Sequence, residues 1–91
     1  MERGSRRLAQ LLADTGTTVQ IGGVYQHYKN RRSRYTVVQV AIIESTLEPC
    51  VIYRSLENPE LTWVRPLSDW LAMVQNEHGK SVSRFVLVEA I

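Results

Sequence analysis

The chain carries a single cysteine, Cys50, among its 91 residues. That excludes an internal disulfide framework and a cysteine-rich zinc site. It has little net charge: eleven Lys and Arg against nine Asp and Glu leave +2, too slight to imply nucleic acid by itself. Long apolar runs are missing as well. The strand-like stretch Tyr35 to Ile43 falls far short of the ~18–20 apolar residues that a membrane span needs. No apolar segment follows the basic start, so no secretory signal is read, and Glu2 and Asp14 argue against an organelle-targeting peptide. The expected location is intracellular, in the cytoplasm, with no membrane contact. Internal repeats and low-complexity segments are also lacking. What is present is ordinary globular composition, 44% hydrophobic and 22% charged, in a length that suits one domain.

Two periodicities divide the chain into an N-terminal helical extension, 1–17, and a β domain, 18–91. Leu8, Leu11 and Leu12 share one helical face, Ser5 is placed to cap, and Gly16 suits the position after the last turn. Arg6 and Arg7 at the start and Asp14 at the end oppose the helix dipole, each at a cost of roughly 0.3–1 kcal/mol. A helix over 5–13 is too short to hold itself in water, so its leucines must dock. The short connection 15–18 favours a dock on the same chain, over a helical turn at Trp70 and Val74. The alternative is self-association, or a protein partner, through Leu8, Leu11 and Leu12.

From Val19 onward the period is 2. Strands are expected from Val19 through Gly22-Gly23 (a bend or bulge) to Lys29, over Arg34–Ile43, Cys50–Leu56, Leu61–Arg65 and Arg84–Ile91. The turns are 30–33, 44–49, 57–60 and 76–80. One short helical turn follows Ser68. The fold class is mainly β: a small antiparallel SH3-like barrel or curved sheet. Val38, Val40, Ile42, Ile52, Trp70, Phe85 and Leu87 form the expected core, and Cys50 is expected to be a buried, inert thiol.

Four blocks carry a resemblance. They are Gly23-Val24-Tyr25-Gln26-His27-Tyr28-Lys29, Val51-Ile52-Tyr53-Arg54-Ser55-Leu56, Trp63-Val64-Arg65-Pro66-Leu67 and Arg84-Phe85. Over roughly Gly22 to Val88 the chain resembles a small, mostly bacterial domain-of-unknown-function family, number sixteen fifty-three. The resemblance implies a small β-rich domain and no particular activity, cofactor or substrate. The chain departs from it at Asn30-Arg31-Arg32-Ser33-Arg34, where the family has a glycine and a short turn, and in the leucine helix.

No HExxH helix, no His/Asp/Glu metal spacing and no complete G-x-x-x-x-G-K-[ST] loop occurs, so no catalytic residue, metal ligand or cofactor is assigned. Tyr25, His27 and Lys29 alternate onto one strand face, and His27 is either structural or a base without a nucleophile in its block. Tyr53-Arg54 and Trp63-Val64-Arg65 set rings beside guanidinium groups, which suit an anionic or planar ligand. If the Trp63–Arg65 face is exposed, the pair is a site; if buried, Trp63 is core and Arg65 bonds loop carbonyls or a carboxylate such as Asp69. The ligand-binding candidates are therefore Tyr25, His27, Tyr53, Arg54, Trp63 and Arg65. The functional expectation is a non-catalytic binding module for a peptide, nucleic acid or small anion. The alternatives are an accessory or scaffold domain acting through its leucine helix and, last, an enzyme.

Lys29, Arg31, Arg32 and Arg34 are polyanion candidates, the alternative being a solvated turn. Changing Arg31, Arg32 and Arg34 to Ala is expected to weaken heparin or nucleic-acid retention. Each lost duplex phosphate contact should reduce the slope of log affinity against log salt by about 0.9; unchanged retention would leave a solvated turn.

Overall fold

The computed structural model describes residues 4–91, with the Arg31 side chain outside that description. The elements run α1 (Ser5–Thr18), β1 (Val24–His27), β2 (Asn30–Ile43), β3 (Glu48–Ser55), β4 (Thr62–Pro66), α2 (Leu67–Trp70), β5 (Met73–Gln75), β6 (Ser81–Ser83) and β7 (Phe85–Glu89). Five strands make one antiparallel sheet in the order β4-β3-β2-β1-β7, and β5-β6 form a separate hairpin. The mainly β expectation holds in its curved-sheet form. β4 and β7 are the sheet's two edges, so the barrel is not closed.

The period-2 pattern of β2 contains one slip. Val37 pairs with Tyr53, but Gln39 pairs with Ile52, so Val38 is an extra residue without a partner. Such a bulge moves every later side chain to the opposite face. The inward residues are therefore Val37 (1% exposed) and Val40 (5%), while Val38, expected in the core, is 38% exposed. Ile42 and Ile52 are half-buried, and Leu87 lies on the edge strand, 40% exposed. Trp70 and Phe85 are buried as expected. So is Cys50, whose thiol is pushed up in pKa chiefly by that burial.

The connections also differ from the sequence reading. The first hairpin turns at Tyr28-Lys29, since His27 pairs with Asn30. The next pair is Gln26 with Arg34, so residues 31–33 form a wide bulge at the start of β2 where a turn was expected. The Asn30 side-chain oxygen accepts the Arg32 N–H at 2.9 Å and shapes that bulge. Only one turn of α2 forms. Met73 and Val74 leave it to pair with Ser83 and Val82, so Trp70, Leu71 and Val74 do not share a helical face. At Gly23 the chain passes close to β7: a Cβ there would lie 2.9 Å from Leu87 Cδ1 and 3.1 Å from the Gln20 carbonyl oxygen. Gly22, at φ +88°, makes the bend itself.

Gly16 does not stop α1, which runs to Thr18. Gly4, not Ser5, precedes its first turn, without a side-chain cap. The Thr15 hydroxyl donates to the Leu11 carbonyl (2.8 Å), and those of Thr17 and Thr18 donate to that of Asp14 (2.7 and 3.2 Å). Thr15 and Val19 are buried and Leu12 packs on the core cluster, so the helix docks on its own chain. It lies against β2 and β3, not over the Trp70 turn. At the β2–β3 turn, Leu47 takes φ +61°, a left-handed conformation that costs a side-chain-bearing residue about 1–2 kcal/mol.

Aromatic rings fill the concave side of the sheet. Trp70 stacks on Phe85 (centroids 3.9 Å, planes 7° apart) and meets Tyr25 and Tyr53 edge-on at 5.2 and 5.0 Å. Tyr35 extends the group to Tyr53 at 5.3 Å. Trp70→Ala is expected to lower unfolding free energy by roughly 3–5 kcal/mol, readable by urea denaturation. A loss under about 1 kcal/mol would mean that the ring is peripheral to the core.

Candidate functional site

Cross-strand register brings the candidate side chains together. On β4, Trp63 sits opposite Tyr53 and Arg65 opposite Val51, and partners in a ladder share a face. Trp63 and Arg65 therefore lie on the concave face at its edge. On the other side, His27 sits opposite Phe85 and meets its ring edge-on at 5.1 Å. Between them opens a cavity of about 230 Å³ lined by His27, Ser33, Tyr35, Tyr53, Trp63, Arg65 and Phe85. Trp63 remains 47% exposed, while Arg65 bonds Asp69 as the buried alternative expected, so the two residues divide between the alternatives.

Arg65 is held on several sides. Its Nη1 donates to Asp69 Oδ2 at 2.7 Å, its Nε donates to the Tyr53 hydroxyl at 3.3 Å, and its guanidinium lies 5.4 Å from the Phe85 ring centre. Asp69 is shared with Arg84, whose Nη2 lies 3.7 Å from Oδ1 and whose Nε donates to the Asp69 carbonyl at 3.1 Å. Partial burial disfavours the charged form of Arg65, but the Tyr53 hydrogen bond and Asp69 outweigh it and raise its pKa. The guanidinium is thus fixed in direction and permanently charged, with only part of its donor fork used.

His27 is neutral. Burial lowers its pKa first, and the charges of Arg65, Arg84 and Lys29 lower it further. Its Nδ1 accepts the Lys29 N–H at 3.2 Å, which requires that nitrogen to be unprotonated. The cations around it make the cavity electropositive, and its walls are mostly rings.

Two ligand-binding candidates lie elsewhere. Tyr25 is buried in the core, and its hydroxyl accepts the Gln20 N–H at 3.0 Å. Arg54 is on the convex face, where its Nε donates to the Thr62 hydroxyl at 3.3 Å. Ser33, Tyr35 and Phe85 line the cavity without having been singled out. Phe85 follows an arginine in a matched block, but its place beside His27 depends on the β1–β7 pairing. Of the polyanion candidates, Lys29, Arg32 and Arg34 are exposed, and Lys29 Nζ lies 5.9 Å from the Tyr28 ring centre; the Arg31 side chain lies outside the described residues. Among the described residues, no cluster of three His, Cys, Asp or Glu could hold a metal, and no helix is long and apolar enough to cross a membrane.

The depressed His27 pKa sets a pH dependence. As pH falls, the unfolded chain takes up this proton first, near 6.5, while the folded chain resists it. The stability contribution of His27 is full above 6.5 and is lost as pH falls through the folded value. His27→Gln should flatten the decline in melting temperature below pH 6.5; an identical decline in both proteins would place its cause elsewhere.

A comparison with curated proteins returns no match. The chain is similar to a crystal structure of a DUF1653 protein from Bordetella bronchiseptica, with 30% identity and a TM-score of 0.64 over 77% of this chain and 88% of that one. The family model described as "Protein of unknown function (DUF1653)" matches residues 23–87, which span every strand from β1 to β6 and reach into β7. The cavity residues all fall within that match, α1 precedes it, and the chain belongs to the DUF1653 family.

Proposed function

We propose that the chain is a non-catalytic binding module whose cavity receives one planar, negatively charged group. The observation that carries this reading is the convergence of His27, Tyr53, Trp63 and Arg65 on one open cavity. Rings offer stacking to a flat group, and a fixed guanidinium offers paired donors to a carboxylate or phosphate. At about 230 Å³ the space lies below the ~300–1,000 Å³ of pockets that enclose whole drug-sized ligands. It suits a small anion with one ring, or one such group projecting from a larger molecule.

Catalysis is the weaker reading for a stated reason. A general base is oriented by a neighbouring acceptor and sits beside a nucleophile. His27 instead accepts a backbone N–H and is surrounded by cations, and the nearby carboxylate, Asp69, is engaged by two arginines.

Trp63 is half-exposed and Trp70 buried, so a ligand in the cavity should alter the emission of Trp63. Titrating the protein with benzoate and with adenosine monophosphate is expected to give a saturable fluorescence change and a raised melting temperature with at least one of them. Trp63→Ala should weaken that binding roughly tenfold, as expected for loss of ring stacking and burial. Arg65→Lys keeps the charge but loses the fork, and should weaken it as well. If neither probe saturates, or if Trp63→Ala binds equally well, the cavity is not the site.

A further inference from the structure

We propose that α1 is a self-association element: a second copy of this chain docks its own α1 antiparallel beside the first. Three observations on the same side of the molecule point there, none of them shared with the cavity. The first is a groove of about 490 Å³ between α1 and the β2–β3 turn, lined by Gly4, Arg7, Leu8, Leu11 and Leu47. Leu12, Thr15 and Val19 serve the chain's own core, whereas Leu8 and Leu11 are only half-buried and Leu47 is 39% exposed.

The second is the conformation of Leu47. A left-handed turn position is where glycine or asparagine is favoured, and a leucine there is strained. It supplies the apolar wall of the groove opposite Leu8 and Leu11. A strained residue that keeps an apolar surface partly open is an indication of use.

The third observation selects the occupant. Arg7, Leu11, Asp14 and Thr18 follow one another at intervals of four, three and four residues, the spacing of a seam between packed helices. Within one chain, Arg7 in the first turn opposes the helix dipole, and α1 has no acid in its first turn and no base in its last; Asp14 lies just before the last turn, where its Oδ1 accepts the Gln10 side-chain N–H at 2.9 Å. Two copies laid antiparallel about an axis between Gln10 and Leu11 place Arg7 of each beside Asp14 of the other. Leu11 of each then faces the centre of the seam. Arg7, unfavourable within a single helix, gains an acidic partner across a two-fold axis, and such an isologous contact closes at a dimer.

The test uses the full-length chain in sedimentation equilibrium over a range of concentrations, with helicity followed by circular dichroism. The intact chain is expected to show a reversible monomer–dimer equilibrium. R7E relieves the dipole conflict in the first turn of α1 and should not cost helicity; D14K gives up only the exposed Gln10 hydrogen bond to Asp14 and should cost little. Each should nevertheless weaken self-association at least roughly tenfold, because both cross-axis pairs become like-charged. An equimolar mixture of R7E and D14K restores complementarity at both ends and should associate as well as the intact chain. L47G, which removes the apolar wall while easing the backbone, should also lower association without loss of folding. The proposal is overturned if the intact chain stays monomeric throughout the range, if R7E and D14K associate undiminished, or if their mixture associates no better than either alone.

Discussion

The stack of Trp70 on Phe85 ties the two ends of an open sheet together. β4 and β7 share no ladder, yet Trp70 is attached to β4 through the single turn of α2, and Phe85 begins β7. With their rings 3.9 Å apart, the opposite edges are drawn toward each other across a core of aromatics. Asp69 strengthens the same closure from the polar side, since it receives Arg65 from β4 and Arg84 from just before β7. A sheet that no ladder closes is thus held curved by the ring cluster around Trp70 and Phe85, by the shared Asp69 carboxylate and by hydrogen bonds from Arg84 to the Asp69 and Ala72 carbonyls.

The cavity is a consequence of that arrangement. Where a ladder between the edges would have filled the gap, rings and a guanidinium face one another across it. The side chains that hold the fold curved, Phe85 and Arg65, are also cavity walls. A guanidinium braced by Tyr53 and Asp69 keeps its direction without a ligand, and the His27 imidazole beside it is disfavoured in its charged form. Preorganisation of this sort lowers the cost of ordering when a ligand binds.

α1 has a different relation to the sheet. Its C-terminal half is part of the core through Leu12, Thr15 and Val19, whereas its first two turns lie beside a strained leucine and an open groove. The matched family region begins after this helix, at residue 23. The cavity residues lie within the matched region, Ser33 among them in the segment where the chain departs from the family; the helix lies outside the match.

The strands were legible because β-branched and aromatic residues alternate and turn residues punctuate them, and the leucine helix because its period is 3.6. Trp63 and Arg65 were legible as a pair because two residues apart in a strand means one shared face. The bulge at Val38 was not, since nothing in the run of apolar residues around it marks which one loses its partner; that is set by pairing with β3. Nor was the continuation of the helix through Gly16, which threonine hydroxyls and the burial of Thr15 and Val19 support against local preference. Met73 and Val74 read as helix until Val82 and Ser83 offer them a ladder. The sequence by itself determined the class of fold, the N-terminal helix, the strands of the main sheet in outline and the kinds of chemistry available, because those follow from local period and side-chain type; the β5–β6 hairpin and the absence of a strand over 19–23 did not follow from it. Only the tertiary structure decided that Tyr25 is core, that Arg54 faces away, and that His27 and Phe85 join Trp63 and Arg65. Those outcomes depend on which strand lies beside which, and pairing between residues far apart in the chain is a property of the folded whole.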